Sequence, residues 1–187
     1  IATPEAENKN EGLLGKNPDV KKIDIESHDK TSDAIKRHVN QTAIEELAKR
    51  NIINGKTDNS FEPNSTMTRA EFAAITVRAL GLPLKVDNTF TDVTENDWFY
   101  SYVNTAYYYG IVNGVSDAEF NPDGTITREE AAVMLARAAK LCGIDTDIGV
   151  LEARDILAGF LDYVKASDWA VGSLAFCYDN EILPNDA

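Results

Sequence analysis

Shifting the chain by 59 residues lays one stretch over another without a gap: residues 51–79 fall on residues 110–138, and 13 of the 29 aligned positions are identical. The shared residues are not scattered. They include Ile52/Ile111, Asn54-Gly55/Asn113-Gly114, Asp58/Asp117, Phe61/Phe120, Pro63/Pro122 and Thr68-Arg69/Thr127-Arg128, with Glu71/Glu130 closing the run. A third, partial copy comes next, because FTDVTENDW at 90–98 is echoed by FLDYVKASDW at 160–169. Beyond it, Val103, Ala106 and Ile111 correspond to Leu174, Cys177 and Ile182. A repeat of this length is one supersecondary unit that cannot bury its apolar face alone, so neighbouring copies must stack.

Each copy reads as helix, loop, helix, which makes the expected fold class all-α. In the first helix of the second copy, Val103, Ala106, Tyr107 and Gly110 recur at helical spacing, and Ile44, Leu47 and Ala48 take equivalent places in the first copy. Gly110 suits the left-handed residue that ends a helix, and Asn51 stands at its place in the first copy. Asn-Gly then signals a turn in both copies, and Phe-x-Pro an extended loop held by one buried ring. Tyr107, Tyr108 and Tyr109 are expected to straddle core and surface.

The second helix of each copy opens with Thr-Arg-x-Glu, at residues 68–71 and 127–130. Thr followed three residues later by Glu is a capping box, in which the hydroxyl accepts from an N-terminal amide and the carboxylate reaches back to the cap. Thr and Glu thus have a structural role, whereas Arg69 and Arg128 have none that the sequence reveals. A guanidinium at the already positive end of a helix is poorly placed for stability. Together with free helix-end amides it suits a carboxylate or phosphate. Asp97-Trp98 and Asp168-Trp169 form a second constellation. Asp is a good cap and Trp could fill a core. Alternatively, the indole lies against a sugar face while Asp accepts from its hydroxyls. The first copy has His38-Val39 there instead.

Composition narrows the function classes. The net charge is −13, with 31 acidic against 18 basic residues, which gives the chain no grip on nucleic acid or anionic membrane. No apolar run reaches the length of a membrane span, and the residues from Ile1 onward do not read as a basic-then-apolar leader. Cys142 and Cys177 occupy apolar helical positions and are expected as thiols. His28 and His38 lie in weakly patterned sequence, and no nucleophile–base, phosphate-loop or zinc motif is present, so catalysis is not expected, and no cofactor is implied. Residues 119–130 mimic a calcium loop, with Glu119, Asn121, Asp123, Gly124 and Glu130 in place. Pro122 stiffens that loop and the first copy loses its Gly, so a calcium-binding module stays an alternative only.

The pattern F-x-D-V, D-W, G-I-V-x-G, F-x-P and T-R-x-E resembles the S-layer homology repeat over residues 31 to 187. Residues 1–30 lie outside it, and their charged, weakly periodic sequence reads as a linker or arm packed around Leu13, Leu14, Ile23 and Ile25; on the resemblance the rest divides as follows. Residues 31–86 are repeat one with a degenerate start, 87–146 repeat two, and 147–187 the first half of repeat three, which carries an insertion near 150–160. The resemblance implies a pseudo-threefold, three-pronged helical module. It implies non-covalent attachment of a surface protein to the wall of a bacterium, Gram-positive by expectation, outside the cell. The implied ligand is secondary cell-wall polysaccharide, commonly pyruvylated, or another wall polymer such as peptidoglycan. The implied ligand residues carry over to Arg69 and Arg128. Grooves between copies would set Arg69 facing Asp97 and Trp98, and Arg128 facing Asp168 and Trp169. Asn54, Gly55, Asn113 and Gly114 would add backbone contacts, and the third groove would be inactive. A lattice or partner-binding role is the alternative, because Val171, Leu174, Phe176 and Ile182 of the half repeat read as an unpaired apolar face.

Overall fold

The computed structural model describes residues 15–25, 35–55 and 61–183. Leu13, Leu14, His28 and Asp58, each singled out above, lie outside the described residues. The expected helical class is what is found: six α-helices, and among the described residues no strand beyond one isolated bridge between Thr68 and Thr125. The chain divides into two compact units, residues 21–127 and residues 1–20 with 128–187.

In the first unit α1 spans Gln41–Lys49, α2 Arg69–Ala79 and α3 Tyr100–Tyr108. Ile44 and Ala48 turn α1 into a small core with Ile35, Ile52 and Ile53, against which Ile23, Phe61 and Ile75 pack. Leu47, expected on that face, is half exposed. α2 packs on α3. It presents Ala70, Ala73, Ala74 and Val77, and α3 answers with Val103, Thr105 and Ala106, so small side chains let the two axes approach. The capping box of α2 is complete, with the Glu71 amide donating to Thr68 Oγ1 at 3.2 Å and the Thr68 amide to Glu71 Oε2 at 2.8 Å. Gly110 and Asn51 do end their helices left-handed, at φ 70° and 54°. In the third copy Glu181 takes the same place at φ 58°, a conformation that glycine adopts without strain and glutamate does not. Part of the expected arm belongs to this core: Ile23 packs there, and the Lys21 amide donates to the Leu80 carbonyl at 2.9 Å, while Ile25 is exposed.

In the second unit α4 spans Arg128–Leu141, α5 Val150–Ile156 and α6 Val171–Asp179. The insertion in the third copy is α5 followed by two 3-10 turns, Leu157–Gly159 and Tyr163–Lys165. It overturns one expectation. Val171, Leu174 and Phe176 are buried, because α4, α5 and the 3-10 turn after α5 pack on α6 and cover its apolar face with Ala132, Val133, Ala136, Ala153 and Leu157. Ile182 is the one of those four that stays exposed.

Candidate functional site

The two Thr-Arg-x-Glu helix starts are chemically different. Arg69 is 7% exposed. Its Nε donates to the Phe120 carbonyl at 2.9 Å and its Nη2 to the Asn113 carbonyl at 3.2 Å, with the guanidinium carbon 4.8 Å above the Phe120 ring. The amides that a bound anion would use are also taken, since Arg69 N donates to the Gly124 carbonyl at 2.9 Å and Ala70 N to the Pro122 carbonyl at 3.0 Å. Arg69 therefore does have a structural role, because it fastens the loop of the following repeat. Carbonyl oxygens carry the partial negative charge that the helix end seeks, so the loop itself plays the part expected of a ligand.

Arg128 is exposed, and among the described residues its guanidinium and its amide have no hydrogen-bond partner. It lines a cavity of about 370 Å³, a volume within the usual range of ligand pockets. The walls are Phe160, Tyr163 and Tyr178 with Leu157 and Leu174, and Lys165 stands at the same cavity. Glu129 and Asp162 also line the cavity, and the Glu129 carboxylate accepts from the Ser167 amide at 2.7 Å and the Ser167 hydroxyl at 3.0 Å.

The acid–indole pairs separate into their parts. Asp97 accepts from the Thr94 amide and hydroxyl at 2.7 and 2.8 Å, shaping the turn before α3, and so does not pair with Arg69 as expected. Asp168 accepts from Arg154 Nη2 at 2.7 Å and not from Arg128. Both carboxylates are drawn to nearer donors, Thr94 three residues away and an arginine that the insertion supplies. Both indoles stay at the surface, 56% and 60% exposed, so neither Trp98 nor Trp169 fills a core. Trp98 packs by its edge against Phe99 and lies 6.5 Å from Tyr102, whose other neighbour is the Arg78 guanidinium at 4.5 Å. Tyr107 and Tyr108 are partly exposed as expected, Tyr107 meeting Phe90 edge-on at 5.1 Å.

The Asn113-Gly114 turn opens an exposed loop whose base is buried Phe120. A Cβ on Gly114 would lie 2.2 Å from the Ser116 carbonyl oxygen, so glycine is required by packing alone. Asp92 holds the far side of the loop, accepting from the Phe120 and Asn121 amides at 2.8 and 2.7 Å. Asp92 had a visible signal in F-x-D-V that carried no role by itself. Phe160, Tyr163, Lys165 and Tyr178 had only the insertion as a signal. Asn54 and Gly55 are described, but the loop beyond them is not.

Among the described residues no group of three or more His, Cys, Asp or Glu converges as a metal site, and no helix is long and apolar enough to cross a membrane. Cys142 and Cys177 are free thiols. Burial pushes the Cys177 thiol up to about 11. A thiol raised in this way favours the folded state up to its ordinary value near 9, and that contribution is lost as pH climbs through 11.

The S-layer homology domain family matches residues 30–73 and 89–132. The chain is 36% identical over 146 residues to an amylopullulanase of Thermoanaerobacterium thermosulfurigenes, covering 76% of this chain and 7% of that protein. It is 33% identical over 166 residues to the exoglucanase XynX of Acetivibrio thermocellus, covering 87% of this chain and 14% of that one. With a surface-layer 125 kDa protein of Lysinibacillus sphaericus it shares 32% over 141 residues, 75% of this chain and 11% of the other. The chain thus spans a small part of each relative's length. Enzymes and surface-layer proteins alike share with it a stretch built on a twice-matched repeat, and the chain belongs to the S-layer homology domain family, non-catalytic modules of cell-wall anchoring.

Proposed function

We propose that this chain anchors a bacterial surface protein by binding secondary cell-wall polysaccharide outside the cell, with the start of α4 as its principal contact. The observation that carries this reading is the Arg128 guanidinium, without a partner among the described residues and lining a cavity with three aromatic side chains. A pyruvate ketal places one carboxylate on a sugar, and a planar guanidinium fork holds a carboxylate with two parallel bonds. The phenol and phenyl faces of Phe160, Tyr163 and Tyr178 suit the apolar side of the sugar ring. Trp98 and Trp169 are further platforms, exposed where an indole otherwise has no reason to be. With a net charge of −13 the chain repels a polyanionic polymer at long range, so affinity comes from such local pockets.

Co-sedimentation with purified wall sacculi, intact or stripped of secondary polysaccharide by acid, tests the reading. Binding to intact walls alone, weakened at least tenfold by Arg128→Ala, is the expected result, tenfold being about one charge-assisted hydrogen bond. Equal binding to stripped walls would assign peptidoglycan as the ligand. Full binding by the Arg128→Ala chain would remove Arg128 from the site.

A further inference from the structure

The loop at 113–124 is held by one helix start. Four donors of the preceding repeat converge on it: the Arg69 Nε and Nη2 and the amides of Arg69 and Ala70. Their acceptors are the carbonyls of Phe120, Asn113, Gly124 and Pro122. The two guanidinium bonds bracket the segment between Asn113 and Phe120, whose residues 115–119 are exposed. Within it the Val115 amide donates to the Glu119 carbonyl at 2.8 Å, and the Ser116 hydroxyl accepts from the Ala118 and Glu119 amides. The tip is therefore closed on itself, and its orientation is set from outside by Arg69 on one flank and Asp92 on the other.

We propose that Arg69 is a positioning residue for wall binding: it does not touch the polymer but holds the Asn113-Gly114 turn in the orientation that does. This rests on the wall-binding reading above. A planar fork spans two carbonyls seven positions apart in the chain while its central carbon sits over the ring of Phe120. A lysine would bring one compact charge and could serve one carbonyl at a time. Arg69→Lys keeps the charge and most of the aliphatic stem, so the loop remains attached through the two α2 amides but loses its fixed tilt.

The test compares the full chain with Arg69→Lys and with Val77→Ala, which removes buried methyl groups from the same helix without touching the loop. Two readouts are taken well below the unfolding temperature: hydrogen exchange of the amides at 113–121, and sedimentation with intact sacculi. Arg69→Lys is expected to speed exchange in the loop about tenfold and to weaken wall binding about fivefold or more, with Val77→Ala leaving both unchanged. Weakened binding with unchanged loop protection would overturn the proposal and make Arg69 a direct contact. A loosened loop with undiminished binding would overturn it too, by removing the turn from the contact surface. Equal losses in Val77→Ala would reduce Arg69 to general stability. Failure of the unaltered chain to sediment with walls would sink the wall reading itself, and this inference with it, a result distinct from any of the others.

Discussion

α2 and α4 begin with the same Thr-Arg-x-Glu and end in different chemistry. At α2 the arginine is buried and its helix-end amides meet carbonyls, while at α4 the arginine is exposed over a cavity and pairs with nothing described. The difference lies outside the motif. The start of α2 meets a loop with Phe120 at its base, whereas the cavity beside Arg128 is walled by the insertion that carries Phe160, Tyr163 and Lys165. A helix start with a guanidinium is an acceptor-seeking socket, and the socket is defined by what fills it. Reading function from the motif alone would give both arginines one role.

The sharpest way to break that contrast is to remove each arginine. Arg69→Ala strands two carbonyls and empties the space above Phe120, and chemical denaturation should show a loss of roughly 2–4 kcal/mol. Arg128→Ala should stay within about 0.5 kcal/mol, as for a surface change, while wall binding falls. Equal losses from both would mean that the two helix starts are one device. Next in size, Gly114→Ala drives a methyl into the Ser116 and Glu119 carbonyls and should cost about 1–3 kcal/mol in the same assay. A neutral result would show that the loop is looser than its contacts suggest. Thr68→Ala breaks the capping box at α2 and should cost about 1 kcal/mol, less than Arg69→Ala, because the cap ties the helix only to itself. A small effect is also expected from Asp168→Asn. Its carboxylate is 81% exposed, and the ion pair with Arg154 should be worth less than about 1 kcal/mol by thermal melts at low and high salt.

Much of the fold was legible because the repeat doubled every local signal. The left-handed residues at 51 and 110, the capping box at Thr68, and the buried ring at Phe120 follow from backbone rules that act within a few residues. The fastening role of Arg69 was not legible, since its acceptors lie 44 and 51 residues away and are main-chain carbonyls, which leave no trace in side-chain identity. The same holds for the cover over Val171, Leu174 and Phe176. An insertion without a counterpart in the other copies carries no repeat signal, and only packing shows that α5 lies on α6. Asp97 and Asp168 were misplaced for a related reason. Acidic side chains take the nearest strong donor, and Arg154 enters the sequence in that same insertion.

The fastening of residue 69 to residues 113–124 also bears on how the chain must acquire its shape. The sequence repeat changes near residue 87, but the compact unit runs through residue 127, half a repeat out of phase. Contacts at a separation near 50 residues reward folding only after a long loop has closed, which slows the search. During synthesis, α2 would emerge with its donors unmet and wait for more than forty further residues before its socket is filled. A cut at the repeat boundary would make that wait permanent. A cut after Thr127 leaves a fragment that can complete it, so the point at which a nascent chain first resists proteolysis should fall after residue 124 has cleared the ribosome.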